Sequence, residues 1–226
     1  MIAVEHITKS FGDKEVLKGV SAQFKEGQTN LIIGQSGSGK TVFVKSMVGL
    51  HDIDSGTISY DGRPLHEMGY DTRKKLRQEM GMVFQGGALF DSMTIEENVM
   101  FPLNMFSNMS ASEKLDRVNF CLQRVNLDNV NHLLPAEISG GMQKRVAIAR
   151  SIVMEPKYLF CDEPNSGLDP QTAIVIDNLI QEITHEFNIT TVINTHDMNS
   201  VMEIGEHIVF IKEGYKAWEG NSEELV

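Results

Sequence analysis

One stretch decides the fold of this 226-residue chain: Gly34-Gln35-Ser36-Gly37-Ser38-Gly39-Lys40-Thr41. It follows the apolar run Asn30-Leu31-Ile32-Ile33 and precedes a helical pattern, which is the setting of a phosphate-binding loop. Its glycines let successive backbone N–H groups point at one anion, and the helix N-terminus adds partial positive charge. We expect Lys40 to reach the β- and γ-phosphates of a nucleotide and the Thr41 hydroxyl to ligate Mg²⁺.

Similar apolar runs recur along the chain and are separated by helical patterns. Strands that are apolar on both faces belong to a parallel sheet covered by helices on each side. Their alternation with helices predicts an α/β fold with a mostly parallel core sheet. The further runs are 82–84, 158–161, 191–193 and 208–211, and the helical patterns include 112–125, 142–153 and 172–187.

The beginning and the middle of the chain differ in pattern. The first third is typical of strands and tight turns, such as the hairpin dipeptide Asp61-Gly62, and predicts an N-terminal antiparallel β subdomain. From about residue 86 to 155 the patterns are helical and no strand is convincing. We expect one domain over 1–226, in which 1–85 and 156–226 form the nucleotide-binding core with its β subdomain and 86–155 form a helical subdomain.

Charge and composition exclude some classes of protein. The net charge is −11, so nothing supports nucleic acid as a partner, since phosphate backbones are bound by basic surfaces. Cys121 and Cys161 are too few for a disulfide framework and suit a reducing compartment. No signal peptide is apparent, and no stretch approaches the roughly 20 apolar residues of a membrane-spanning helix. We therefore expect another chain to do any membrane spanning.

A second apolar strand ends in two carboxylates, in the stretch Tyr158-Leu159-Phe160-Cys161-Asp162-Glu163. Many strands end in aspartate, so the pattern gains weight only from the phosphate-binding loop. Asp162 is expected beside Mg²⁺ at the C-terminal edge of the sheet. Glu163 points differently and is expected to accept a proton from the attacking water.

A third candidate site begins a helix at Ser139-Gly140-Gly141-Met142-Gln143. A capping serine followed by two glycines presents bare N–H groups, which predicts a second anion-binding helix terminus. The alternative is an ordinary Ser-capped helix after a glycine turn. The segment 138–145 resembles the signature of ABC transporter ATPases, and Ser139 lies 23 residues before Asp162, as in that family.

The resemblance to ABC ATPases extends over essentially the whole chain. Gln85 is similar to the family's Q-loop glutamine, which senses Mg²⁺ and water and couples to the membrane partner. Ser166-Gly167-Leu168-Asp169 resembles the D-loop. His196 resembles the switch histidine that contacts the γ-phosphate, and Phe11 the aromatic that stacks on adenine. Each residue alone is weak evidence, because a lone histidine or phenylalanine is usually structural.

The resemblance implies ATP and Mg²⁺ as ligands and a second copy of the chain as partner. In ABC ATPases the signature of one subunit closes over nucleotide held by the phosphate-binding loop of the other, so we expect a homodimer that sandwiches two ATP molecules. The expected catalytic residues are Glu163, His196, Gln85 and Lys40. The expected ATP-binding residues are Phe11, Gly34, Gln35, Ser36, Gly37, Ser38, Gly39, Lys40, Thr41, Val42, Ser139, Gly140, Gly141 and Asp169. The expected Mg²⁺ residues are Thr41, Gln85 and Asp162.

The region after Gln85 carries a narrower resemblance. It contains Gly86-Gly87-Ala88-Leu89-Phe90-Asp91-Ser92-Met93-Thr94-Ile95-Glu96-Glu97-Asn98-Val99 and then Phe101-Pro102-Leu103. This is similar to the MlaF-type ATPases of the Mla and Mce lipid-transport systems. It implies a permease of the MlaE type, an MCE-domain protein and phospholipid cargo, at the cytoplasmic face of a bacterial inner membrane.

Two features depart from that narrower group. Asn165 follows Asp162-Glu163-Pro164 at a position where relatives vary. Members of the group also carry a long C-terminal tail that helps to hold the dimer, whereas this sequence stops at Val226. Either a tail was trimmed or this relative dimerises without it.

Other functions stay open. The most serious alternative is the ATPase of an ABC importer or exporter with a different cargo. A soluble ABC ATPase of translation or DNA repair usually has two cassettes or a coiled-coil insertion, and neither pattern is present in this sequence. The Ser139–Gln143 motif disfavours a P-loop kinase or GTPase-type switch. A binding module without enzymatic activity is disfavoured by the presence of Lys40, Asp162 and Glu163.

Overall fold

A computed structural model of the chain describes residues 1–225. Within that range it contains ten β-strands and seven α-helices. In chain order they are β1 (Ile2–Phe11), β2 (Lys14–Phe24), β3 (Gln28–Ile33), α1 (Lys40–Met47), β4 (Ser55–Tyr60), β5 (Arg63–Pro64), α2 (Tyr70–Gln78), β6 (Met80–Val83), α3 (Ile95–Phe106), α4 (Ala111–Arg124), α5 (Gly140–Ile152), β7 (Tyr158–Asp162), α6 (Pro170–Glu186), β8 (Thr190–Asn194), α7 (Met198–Ile204), β9 (His207–Lys212) and β10 (Tyr215–Gly220).

The N-terminal strands form an antiparallel sheet with the order β2-β1-β4-β5, which confirms the predicted β architecture. The predicted hairpin joins β4 to β5, where Tyr60 pairs with Arg63. Asp61 and Gly62 between them both have positive φ, at 48° and 75°. A two-residue turn of this kind needs positive φ at both positions, which explains the Asp-Gly dipeptide.

The core sheet has the order β10-β9-β3-β8-β7-β6. Its strands from β9 to β6 run parallel, as the apolar runs predict, and β10 adds an antiparallel strand at the β9 edge. Every residue of β7 and β8 is buried. The parallel arrangement brings the C-terminal ends of β3, β8, β7 and β6 to one edge, where ligands of such sheets bind.

The core sheet is covered on both faces. Successive residues of a strand point to opposite faces. In β3, Leu31 packs with Cys161 and Ile193 in a cluster shared with the helices, whereas Ile32 packs with Phe160 and Val192 in a cluster shared with α1 and the N-terminal sheet. The phosphate-binding loop therefore emerges from a strand that is held rigidly on each side.

The stretch between β6 and β7 is helical, and α3, α4 and α5 pack against one another there. The sequence patterns predicted α4 and α5 but not α3, which starts with a capping box between Thr94 and Glu97. The assignment of residues 86–155 as a separate subdomain stays a prediction. Within residues 1–225, no helix is long and apolar enough to cross a membrane.

Candidate nucleotide site

Three neighbouring strands end side by side at the phosphate-binding loop. β3 leads into Gly34, β7 ends at Asp162 and β8 ends at Asn194. Because β8 lies between β3 and β7, Asn194 is paired with Ile32 on one side and with Asp162 on the other. The sequence predicted the ends of β3 and β7 at the site, and His196 just after β8, but it did not mark Asn194 as a site residue.

Two glycines of the loop are required by its shape. Gly34 has a φ of 150°, and a Cβ atom there would lie 2.2 Å from the carbonyl oxygen of Ile211. Gly39 precedes α1 with a φ of 108°, in the region that side chains disfavour. The local backbone therefore selects glycine at both positions, and the loop can present its N–H groups to a phosphate.

The ammonium group of Lys40 lies against the loop. Its Nζ atom donates to the carbonyl oxygens of Gly34 at 2.8 Å and Gln35 at 3.1 Å. Burial lowers the pKa of Lys40, and the nearby carboxylates of Glu163 and Asp162 oppose that shift. The Lys40 side chain is thus held between the phosphate-binding loop and the two carboxylates, as expected for a residue that binds phosphate.

A cavity of about 380 Å³ lies at the loop. It brings loop residues together with Glu163 and His196, which the sequence had placed in one site. Its lining residues are Lys14, Val16, Ser36, Gly37, Gly39, Lys40, Thr41, Val42, Glu163 and His196. Lys14 and Val16 come from β2 and were missed, because no motif marks them.

Phe11 is not among the residues that line this cavity. It pairs with Lys14 at the tip of the β1–β2 hairpin, so it lies next to a lining residue. The ring is 46% exposed and meets the His51 ring edge-on at 5.3 Å. An exposed aromatic at this tip is compatible with stacking on adenine, and that role stays a prediction.

The carboxylate of Glu163 is held from two sides. Its Oε1 lies 3.0 Å from His196 Nδ1, and its Oε2 accepts from Gln85 Nε2 at 3.0 Å. The same Gln85 nitrogen donates to Ser166 Oγ at 3.2 Å. Glu163 also has a positive φ of 49°, an uncommon conformation that clusters at functional sites. The structure therefore unites three of the predicted catalytic residues around one candidate base.

Oxygen ligands suitable for Mg²⁺ lie between the loop and β7. Asn194 Nδ2 donates both to Thr41 Oγ1, at 3.2 Å, and to Asp162 Oδ1. Mg²⁺ is usually held by one or two carboxylates together with substrate phosphates. The described part of the chain contains no group of three or more Asp, Glu, His or Cys side chains that could hold a metal ion. A metal at this place would therefore need phosphate oxygens as further ligands.

Two buried polar atoms at this place have no hydrogen-bond partner among the described residues, the Ser38 hydroxyl and the amide oxygen of Asn194. Buried polar groups are normally satisfied, so these atoms are suited to a polar ligand at the site. The residues therefore fit Mg²⁺ held jointly with a nucleotide. For Gln85 the structure shows contacts to Glu163 and Ser166, and its role toward the metal stays a prediction.

The signature residues begin a different element. Ser139 caps α5, and its Oγ accepts from the Met142 N–H at 3.2 Å, with Gly140 and Gly141 in the first turn. Asp169 caps α6 in the same way. Among the described residues, none of these four lines the cavity at the phosphate-binding loop. Their predicted ATP contacts therefore require a second chain.

Side chains of α5 hold the segment that follows β6, which we call the Q-segment (residues 85–90). Lys144 donates to the carbonyl oxygen of Gln85. Arg150 donates to the carbonyl oxygens of Gly87 at 2.6 Å and Ala88 at 2.8 Å. Sequence reasoning missed both cations, because contacts between distant segments leave no local pattern.

Asn165 has a structural consequence that the sequence did not show. Its amide donates to Asp177 on α6 at 3.1 Å and to the Ser200 hydroxyl on α7 at 2.8 Å. Burial raises the pKa of Asp177 to about 6. The cluster joins the loop after Glu163 to the helix after His196, behind the candidate base.

Known proteins share this arrangement. The sequence model of the ABC transporter family matches residues 17–166, which is more than half of the chain. The chain belongs to the ABC transporter family. Its nucleotide site is that of an ABC ATPase domain, and the match includes the phosphate-binding loop, the signature and the carboxylates Asp162 and Glu163.

Two curated relatives of this ABC ATPase act on different substrates according to their names. The methionine import ATP-binding protein MetN of Clostridium tetani is 40% identical over 212 residues, covering 93% of this chain and 66% of the relative. The probable ribonucleotide transport ATP-binding protein mkl of Mycobacterium leprae is 37% identical over 207 residues, covering 92% of this chain and 60% of the relative. The chain spans about two thirds or less of the length of these relatives.

A solved structure confirms the predicted fold. It is a dimeric ATP-binding cassette in a post-hydrolysis state, bound to ADP and Pi. Its sequence is 33% identical, the TM-score is 0.87, and the match covers 98% of this chain and 99% of the other. The narrower resemblance to Mla and Mce ATPases stays a prediction, because the two relatives described above are named for other substrates.

Proposed function

We propose that this chain binds ATP with Mg²⁺ and hydrolyses it as the nucleotide-binding subunit of an ABC transporter. The observation that carries the proposal is the position of Glu163. Its carboxylate lies on the cavity of the phosphate-binding loop and is oriented by Gln85 and His196. A general base needs this combination of reach and fixed orientation.

In the proposed reaction, each residue at the strand ends has its own role in ATP hydrolysis. The loop N–H groups and Lys40 bind the phosphates, and Glu163 accepts a proton from the attacking water. His196 and Gln85 keep the Glu163 carboxylate in place. Mg²⁺, held by Thr41 and Asp162, would neutralise charge on the phosphate oxygens when bound.

A second copy of the chain would complete the site. Ser139, Gly140 and Gly141 present helix-terminal N–H groups away from the chain's own loop cavity. Such a terminus favours anions, so we infer that it faces the phosphates bound by another copy. The dimeric form of the related cassette supports this arrangement.

We further propose that residues 1–85 and 156–226 form the ATP-binding core and that residues 86–155 form a helical subdomain. An apolar groove of about 440 Å³ lies where these parts meet. Met82, Phe90, Phe101 and Arg150 are among its lining residues. We infer that a helix of the membrane permease packs into this groove, because Arg150 also holds the Q-segment whose first residue contacts Glu163.

For the cargo we propose phospholipid. The support is the resemblance of residues 86–103 to the ATPases of Mla and Mce systems, which implies an MlaE-type permease and an MCE-domain protein. The chain would then act at the cytoplasmic face of a bacterial inner membrane. A second candidate cargo is a small polar solute, which the 40% identity to a methionine import ATPase favours.

The test for the cargo uses the complex of this chain with its membrane permease. Mass spectrometry of ligands that co-purify with the complex should find phospholipid in stoichiometric amount. Tightly bound amino acid or nucleotide in place of lipid would favour the second candidate.

The test for the ATPase is Glu163→Gln. Loss of a general base slows turnover by a factor of 10²–10⁴, so we expect kcat to fall by about a thousandfold while ATP affinity is kept. The matched control is Glu67→Gln, because Glu67 is an exposed carboxylate outside the loop cavity. Equal turnover in wild type and Glu163→Gln would contradict the assignment of the base.

A further inference from the structure

We propose that Asn194 is a positioning residue that sets the places of the two Mg²⁺-binding side chains, Thr41 and Asp162. This inference rests on the proposed function, because it concerns the metal of that site. Its basis is one amide nitrogen that serves two elements, the helix after the phosphate-binding loop and the strand that carries the carboxylates.

The strand order gives Asn194 its place. β8 lies between β3, which leads into the phosphate-binding loop, and β7, which ends at Asp162. Asn194 is the last residue of β8 and is paired with Asp162 in register. From this position the Asn194 side chain reaches both Thr41 and Asp162.

The hydrogen bonds fix the orientation of both ligands. Asn194 Nδ2 donates to one carboxylate oxygen of Asp162, which leaves the other oxygen for a cation. The same nitrogen donates to the Thr41 hydroxyl, which directs the hydroxyl's remaining lone pair. An apolar side chain at this position would fill the space without supplying either bond.

The other end of the amide also indicates a ligand. Asn194 is fully buried, and its Oδ1 has no hydrogen-bond partner among residues 1–225. Mg²⁺ in nucleotide sites usually keeps several bound waters, which are donors. An acceptor at this depth is suited to such a water, and so Asn194 would contact the hydrated ion with its oxygen and the protein ligands with its nitrogen.

The test compares wild type with an Asn194 variant by their Kd for Mn²⁺, a paramagnetic substitute for Mg²⁺. Electron paramagnetic resonance measures this Kd in the presence of saturating ATP. Asn194→Leu keeps the branched shape of the side chain but removes both hydrogen bonds and the unpaired acceptor. We expect its Kd for Mn²⁺ to rise about tenfold or more, because bonds to charged groups are the strong ones. Affinity for ATP in EDTA should stay within about twofold of wild type, since the loop N–H groups and Lys40 are untouched.

Thr190→Val is the matched control. Thr190 begins the same strand, is also buried and has a hydroxyl without a partner among residues 1–225, but it lies at the end of β8 away from the loop. It should leave the Kd for Mn²⁺ unchanged. If Asn194→Leu does not fold, as judged by thermal denaturation, Asn194→Val removes the same groups with a side chain that strands favour, and the same rise is expected.

Asp162→Asn distinguishes a failure of the positioning role of Asn194 from a failure of the Mg²⁺ site itself. If it weakens Mn²⁺ binding while a folded Asn194 variant binds Mn²⁺ as tightly as wild type, the positioning role is wrong and the metal site stands. If Asp162→Asn and Asn194→Leu both leave Mn²⁺ affinity unchanged, the metal site of the proposed function is wrong as well.

Discussion

The strand-end site and the Q-segment are neighbours that are built in different ways. At the strand-end site, Gly34, Asp162 and Asn194 are placed by the backbones of three parallel strands in register. The Q-segment is held by side chains that reach from α5 to its carbonyl oxygens. The backbone therefore fixes the first region, whereas the second depends on side chains: two cations of α5 and, at Phe90, the amide of Asn98 on α3.

The difference suggests that the two regions have different functions, phosphate chemistry at the strand-end site and coupling to a partner in the Q-segment. Phosphate chemistry needs donors that do not move when charge develops, and strand ends supply them. Coupling to a partner needs a segment that can be shifted, and a segment held by a few side-chain hydrogen bonds meets that need. Gln85 joins the regions, because its side chain contacts Glu163 and its backbone is held by Lys144.

The largest effect is expected from Lys40→Ala at the strand-end site. Two charge-assisted bonds to phosphate would be lost, at about 2 kcal/mol each, so the Kd for ATP should rise by about a thousandfold. Isothermal titration calorimetry measures this change. The control is Lys45→Ala on the same helix, and an unchanged Kd in Lys40→Ala would refute the phosphate-binding loop.

The rigidity of the strand-end site can be tested with two glycines of one loop. Gly34→Ala should cost about 3 kcal/mol in the free energy of unfolding, because its Cβ would meet the Ile211 carbonyl and its φ is positive. Gly37→Ala meets nothing within 4 Å and should cost only about 1 kcal/mol from its φ of 79°. Chemical denaturation compares the two, and equal costs would show that the loop adapts.

A smaller effect is expected in the Q-segment from Arg150→Met. The two bonds to Gly87 and Ala88 would be lost, which should cost about 2 kcal/mol of stability and speed hydrogen exchange of residues 85–90. The Kd for ATP should stay within about twofold. Arg145→Met on the same helix is the control, since within the described residues the Arg145 side chain makes one long hydrogen bond, at 3.5 Å to the carbonyl oxygen of Asn126. Slow exchange retained in Arg150→Met would mean that the backbone alone holds the segment.

The smallest effect concerns pH and the cluster behind the candidate base. The pKa of Asp177 is about 6 in the folded chain against an ordinary 3.8, so the native state binds the proton more tightly than the unfolded chain. The free energy of unfolding should therefore fall as pH rises through that window, by about 1 kcal/mol between pH 5 and pH 6. Asp177→Asn should remove this part of the slope in urea titrations. An unchanged slope would show that Asp177 does not titrate in this window.

Sequence patterns revealed the parts of the site that lie on short stretches of chain. Gly34–Thr41 and Tyr158–Glu163 were found because a strand, a turn and polar residues follow one another within a few positions. Strand order was not predictable, because it depends on how the connections cross the sheet. Asn194 was therefore missed, although a polar residue at the end of a buried strand could have marked it.

The elements that the patterns missed share a physical cause. Lys144 and Arg150 act across about sixty residues of sequence, and such side-chain contacts have no periodicity. β10 is mostly exposed and has no buried residue, and its polar residues hide the strand signal. The start of α3 did carry a local signal, the capping box of Thr94 and Glu97, which sequence analysis could have used.

The central claim is that one chain supplies half of each working site and that two chains close over ATP. Sedimentation of Glu163→Gln tests it most directly, because loss of the base should keep ATP bound and hold the closed pair together. We expect saturating MgATP to convert this variant from monomer to dimer, and we expect the Glu163→Gln/Lys40→Ala double variant to stay monomeric. A Glu163→Gln chain that remains monomeric in saturating MgATP would contradict the shared site.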